Sequence, residues 1–109
     1  MPDAQRSEIW LVDLGYVAKV RPCLVVSVDT GPSDRDLVSL VPHTTSARQS
    51  RFETAVVVPF LREGAFDAQS LVTVPRVKLI RRLGVLPEAE MREVERTLAS
   101  WLGLAGVAR

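Results

Sequence analysis

The chain has 109 residues, 47% of them apolar, with 14 basic against 13 acidic side chains and a formal net charge of +1. That length fits one compact domain with a modest core, and the near-zero charge excludes a histone-like or tail-like polycation, although charge can still be segregated on the surface. A lone cysteine, Cys23, excludes an internal disulfide framework and a cysteine-rich zinc site; with no signal peptide and no apolar run long enough to cross a bilayer, a soluble cytoplasmic protein without membrane attachment is expected.

In chain order, residues 1–6 read as a loose lead-in to one domain spanning 1–109. "EIWLVDL" (8–14) places Ile9, Leu11 and Asp13 on one face and Trp10, Val12 and Leu14 on the other, so both faces are largely apolar and a buried strand is predicted. "PCLVVSV" (22–28) behaves likewise. "DTGPSDRD" (29–36) concentrates Gly, Pro, Asp and Ser and reads as a solvated loop. "LVSLVPHTT" (37–45) is a strand interrupted by Pro42, whose missing N–H suggests an edge or a bulge near Thr44. "FETAVVVPF" and "SLVTVPRVKLI", ended or bent by Pro59 and Pro75, bring the total to about five strands, and the close spacing of turn signals favours a small, strongly curved antiparallel barrel over an alternating βαβ sheet.

The period then changes. In "LPEAEMREVERTLASWLGL", Met91, Val94, Leu98, Trp101 and Leu102 recur at three- and four-residue steps, the pattern of an amphipathic helix. Pro87 suits its first turn, Glu88 and Glu90 sit where the positive end of the helix dipole favours them, and Gly103 is a natural stop.

Neither a GxxxxGK[ST] loop nor a GxGxxG fingerprint is present, nor a GxSxG elbow, and one histidine and one cysteine do not make a metal site. What remains is a group of guanidiniums and hydroxyls near strand ends. Arg21 precedes a proline that holds its backbone extended at the mouth of an apolar strand; Thr44 and Thr45 follow Pro42; Ser70 follows a loop. A planar guanidinium gives two parallel hydrogen bonds to phosphate oxygens, and a hydroxyl can donate to phosphate or accept from ribose. His43 is the one proton carrier of the neutral range, but strand alternation turns it away from Thr44 unless Pro42 makes a bulge, so it stays outside the catalytic set.

In their order along the chain, "EIWLVDL", "VRPCLVVS", "LVPHTTSARQSRFETAVVV", "QSLVTVPRVKLI" and "LPEAEMREVERTL" resemble the MazF/PemK (Kid) toxins of bacterial toxin–antitoxin systems over residues 8–104. The resemblance implies a mainly β fold, a small SH3-like antiparallel barrel of the CcdB/MazF type with a C-terminal helix. It also implies a homodimer, an antitoxin that lies across the RNA groove, and a sequence-selective endoribonuclease acting on single-stranded RNA. Cleavage would need neither metal nor cofactor: the ribose 2′-hydroxyl attacks the adjacent phosphate and leaves 2′,3′-cyclic phosphate and 5′-hydroxyl ends. By the same resemblance Arg21, in the Arg-Pro position, and Thr44 are catalytic, Lys19, Arg48 and Arg51 lie in or beside RNA-contacting loops, and Ser70 stands at the edge of the site; Thr45, for its hydroxyl, and Arg76, at the basic strand end, complete the expected RNA-binding set.

The chain departs from the pattern in its short "GYVAK" loop, in Ser7 where the first strand usually begins with Gly, and in Thr73 and Pro75, where the PemK-like branch carries an arginine and an aspartate. Arg76, Lys78, Arg81 and Arg82 also read simply as a solvated basic strand end. The alternative function is a binding-only module on the same barrel, catalytically silent or directed at DNA gyrase; the Arg-Pro and Pro-x-Thr signals favour the nuclease.

Overall fold

A computed structural model describes residues 2–104. Among them the order is β1 (Glu8–Asp13), α1 (Gly15–Ala18), β2 (Val20–Val25), β3 (Leu37–Thr44), β4 (Glu53–Val56), β5 (Gly64–Asp67), β6 (Val72–Pro75), β7 (Leu79–Val85) and α2 (Glu88–Leu102). Every strand pairing is antiparallel. The ladder runs β4-β5-β3-β2-β1-β7, with β6 also paired to β3. It forms a curved, barrel-like sheet whose outer strands, β4 and β7, do not close on each other.

The central strands bury both faces, as their double apolar pattern requires. Ile9, Leu24 and Val41 join Phe66, Leu86, Met91 and Val94 in one core beneath α2. Val12, Cys23, Val25, Leu40 and Val74 form a second core on the other face, with Trp10 and Leu14 packed against it. Burial pushes the Cys23 thiol up to about 12, against the opposing pull of the Arg21 charge, so this cysteine is a core residue and not a thiolate.

Pro42 does not mark an edge. β3 runs unbroken through it, paired with Cys23 on the β2 side. On the far side, β6 pairs with Leu37–Leu40 and β5 with His43 and Thr44, so the proline falls where one partner gives way to the next and a ladder donor is dispensable. The strand read over 70–80 does end at Pro75, as that proline suggests, and the segment is divided. Short 3-10 turns at Ala68–Ser70 and Arg76–Lys78 flank β6, and β7 follows the second.

α2 starts after Pro87, carries Glu88 and Glu90 in its first turn, and ends at Gly103, whose φ of 70° closes the helix with bonds to Ala99 and Ser100. Met91, Val94 and Ala99 are buried, whereas Trp101 and Leu102 remain exposed, with Trp101 edge-on to Phe52 at 5.1 Å. The lead-in expected to be loose is tied down: Ala4 is buried, and Arg6 donates to Glu95 and to the Val26 carbonyl; position 1 lies outside the described residues. Glu8 accepts from the Gln5 N–H, the Trp10 indole and Arg82. Burial is the largest single influence on Glu8 and acts upward, but these bonds together hold its carboxyl below the usual glutamate range. No helix among the described residues is long and apolar enough to cross a membrane.

Candidate active site

Arg21 stands opposite Val12 in the β1–β2 ladder, next to Pro22, and is exposed where the strand leaves the core, while Val12 is fully buried. It forms the shared wall of two clefts. The first, of about 440 Å3, is bordered by Arg21, Pro22, His43, Thr44, Thr45 and Ser46 on the strand side and by Phe60, Leu61, Arg62 and Leu83 across from them. The second, of about 430 Å3, runs from Arg21 to Pro42, Ser70, Leu71 and Val72, with Leu14 and Val17 at its other border. Of the residues singled out in the sequence, Arg21, Thr44 and Thr45 are thus gathered on the first cleft, and Ser70 meets Arg21 on the second.

Thr44 is the last residue of β3 and half-buried; its Oγ1 accepts the Ser46 N–H at 3.0 Å, which fixes the hydroxyl and leaves its own proton to donate. Ser70 Oγ donates to Asp67 Oδ2 at 2.7 Å, closing the turn after β5. His43 is 4% exposed, consistent with alternation along an unbulged strand end, yet it borders the same cleft as Thr44 because the cleft opens where β3 ends. Its ring lies edge-on to Phe66 at 5.3 Å, and its Nε2 has no hydrogen-bond partner among the described residues. Burial pushes the imidazole pKa below its ordinary value, so it is neutral at physiological pH.

The other candidates lie apart. Lys19, held at a φ of 59° after α1, borders a depression with Tyr16, Val20 and Lys78. The Arg48 backbone N–H donates to Glu53, which also accepts from Ser50, and the Arg51 guanidinium covers the Phe52 ring at 4.5 Å from its centroid. Arg76 donates to Asp36 at 2.7 Å and borders a pocket with Asp29 and Thr30 at the loop end of the molecule. Sequence reasoning passed over Phe60 and Arg62, which come to the first cleft from the loop after β4; the signal available for Phe60 was an isolated glycine, Gly84, just after the basic residues Arg81 and Arg82, a mark of close approach by another group.

This curved antiparallel sheet with its C-terminal helix has counterparts among known proteins. Residues 5–102 match the family described as PemK-like, MazF-like toxin of type II toxin-antitoxin system. The "Probable endoribonuclease MazF" of Mycolicibacterium smegmatis is 33% identical over 96 residues, covering 84% of this chain and 87% of that protein. A solved structure described as an endoribonuclease in complex with its cognate antitoxin, from a mycobacterial species, superposes with a TM-score of 0.80 at 28% identity, covering 93% of this chain and 96% of that one. A MazE-MazF crystal structure from Deinococcus radiodurans shares the fold with a TM-score of 0.77 at 21% identity, over 94% of this chain and 97% of that one. The chain belongs to the family of PemK-like, MazF-like toxins of type II toxin–antitoxin systems.

Proposed function

We propose that this chain is the toxin of such a system and cleaves single-stranded RNA by attack of a ribose 2′-hydroxyl on the adjacent phosphate. The products are a 2′,3′-cyclic phosphate and a 5′-hydroxyl. The observation that carries this reading is the meeting of Arg21 and Thr44 on one open cleft, next to a second cleft that shares Arg21 as its wall. A chain threaded across Arg21 would have one nucleotide on each side of the phosphate it grips.

The reaction needs charge stabilised on the phosphorane oxygens as they gain it. Arg21 serves there, since a guanidinium stays protonated throughout and matches two phosphate oxygens at once. Thr44, its oxygen already occupied by the Ser46 N–H, donates its proton to a phosphate oxygen or orients the 2′-hydroxyl. Thr45 and Ser70 border the flanking nucleotides. Lys19, Arg48 and Arg51 act at a distance from the cleaved bond, as positive charges along the approach of the RNA backbone. In this reading no metal or cofactor takes part.

The working form is a cytoplasmic homodimer held in check by a cognate antitoxin. Val77, Ile80 and Val85 on and before the free edge of β7 expose apolar surface that a second copy would cover. Solved relatives include one in complex with its cognate antitoxin. Purified protein in EDTA is expected to cut single-stranded RNA, and Arg21→Ala to abolish cutting without loss of fold. Full activity in Arg21→Ala would overturn the assignment, and a monomer in sedimentation at working concentration would overturn the dimer.

A further inference from the structure

The first cleft has two chemically different walls. Arg21, Thr44, Thr45 and Ser46 can meet a phosphate and sugar; across from them Arg62 adds a second cation, while Phe60, Leu61 and Leu83 present apolar surface. Phe60 is 37% exposed. Its ring sits so close to Gly84 of β7 that a Cβ built there would stand 2.5 Å from ring atom Cζ and 2.6 Å from Cε1. Leu83 is set by a separate irregularity. Ile9 pairs with Gly84 and Trp10 with Arg82, so Leu83 is the extra residue of a β-bulge, the device that re-aims a side chain beside a site.

We propose that Phe60 and Leu83 form a nucleobase slot in which one base of the RNA stacks, and that this contact selects the nucleotide on one side of the cleaved bond. The inference rests on the ribonuclease reading of the same cleft and adds the residues that read its substrate. An aromatic ring stacks on any base face, more strongly on larger bases, and a ring pinned in advance spends little ordering entropy on binding. The cleft volume of about 440 Å3 lies within the range of small-ligand sites, roughly 300–1,000 Å3. The cleft on the other side of Arg21 is bordered by Leu14, Val17, Pro42, Leu71 and Val72 with no aromatic residue, so stacking discrimination is one-sided.

The test uses the full chain and two readouts. Binding is measured by anisotropy on a single-stranded RNA whose cleaved nucleotide carries a 2′-deoxy sugar, which cannot react; base preference is read by sequencing the ends cut from a random single-stranded RNA pool. Phe60→Ala is expected to weaken binding on the order of 5- to 150-fold and to flatten the preference at one flanking position only. Phe60→Trp should retain both, Phe60→Leu should not, and Gly84→Ala, by lifting the ring, should reproduce Phe60→Ala. The proposal is overturned if folded Phe60→Ala keeps its affinity and preference, if Phe60→Leu restores them, or if preference weakens equally on both sides. Phe60-dependent binding without cutting would sink the nuclease reading alone, and cutting with unaltered preference in Phe60→Ala would sink the slot alone.

Discussion

A Cβ atom placed on Gly64 would fall 2.1 Å from the carbonyl oxygen of Thr44 and 2.9 Å from Cε1 of His43. β5 therefore meets the end of β3 backbone to backbone, and the residue that carries the cleft hydroxyl is held in place by the absence of a side chain across from it. Gly64→Ala is expected to push the strands apart at Thr44, costing about 1–3 kcal/mol as overpacking. RNA cleavage should fall more than the loss of folded protein explains. Thermal melting and activity per folded molecule check this together; a variant of normal stability and activity would contradict it.

The Thr44 hydroxyl accepts from the Ser46 N–H, and in the proposed mechanism it also donates to substrate. Thr44→Ser keeps both and should retain most activity. Thr44→Val removes both, and a lost hydrogen bond to a charged group, about 1.5–3 kcal/mol, corresponds to roughly a 10- to 150-fold fall in kcat/KM. Single-turnover cleavage of one oligonucleotide by the two variants separates them.

His43 makes stability depend on pH. Burial lowers its folded pKa beneath the unfolded value of about 6.5, so as pH falls the unfolded chain takes up the proton first. The stabilisation is full above that unfolded value and is lost as pH falls below it, through the folded pKa. Glu8, also lowered, adds a second loss at more acid pH. Melting temperatures at about pH 7.5 and about pH 5.5 should differ for the wild type and converge for His43→Phe, which no longer titrates.

Arg76, expected among the RNA contacts, is tied to Asp36 with its side chain 13% exposed and the aspartate 53% exposed. Arg76→Ala is expected to cost about 1 kcal/mol of stability, the scale of a partly exposed pair. If the RNA path reaches this loop, the variant's binding will also lose salt dependence; measuring affinity at two salt concentrations decides between an anchor of the loop and an RNA contact.

The strand faces were legible because alternation is local: Ile9 lies in one core, and Trp10, Val12 and Leu14 at the other, as their spacing requires. The helix and its Gly103 stop were equally plain, while the exposure of Trp101 and Leu102 shows that an apolar stripe can outrun the surface beneath it. Pro42 misled because its cost depends on which neighbour pairs at that point, a tertiary fact. β5 was read as loop because its four residues include Gly64 and Asp67, both poor strand formers. In the site, Arg21 and Thr44 were reached through motif order, and the structure gathers them on one cleft. His43, left outside the catalytic set, still borders the cleft because a cleft at a strand end touches both inward and outward residues, and Phe60 was missed because it comes from a loop more than ten residues away in sequence.

The central claim is that the RNA itself supplies the nucleophile and Arg21 stabilises the phosphorane. Mass spectrometry of fragments cut from a short single-stranded RNA in EDTA tests it most directly. The account predicts 2′,3′-cyclic phosphate on one fragment and a 5′-hydroxyl on the other, with both products absent for Arg21→Ala and for RNA carrying a 2′-deoxy sugar at the cleaved position. Fragments with 5′-phosphate ends, or cutting that survives the 2′-deoxy substitution, would contradict it.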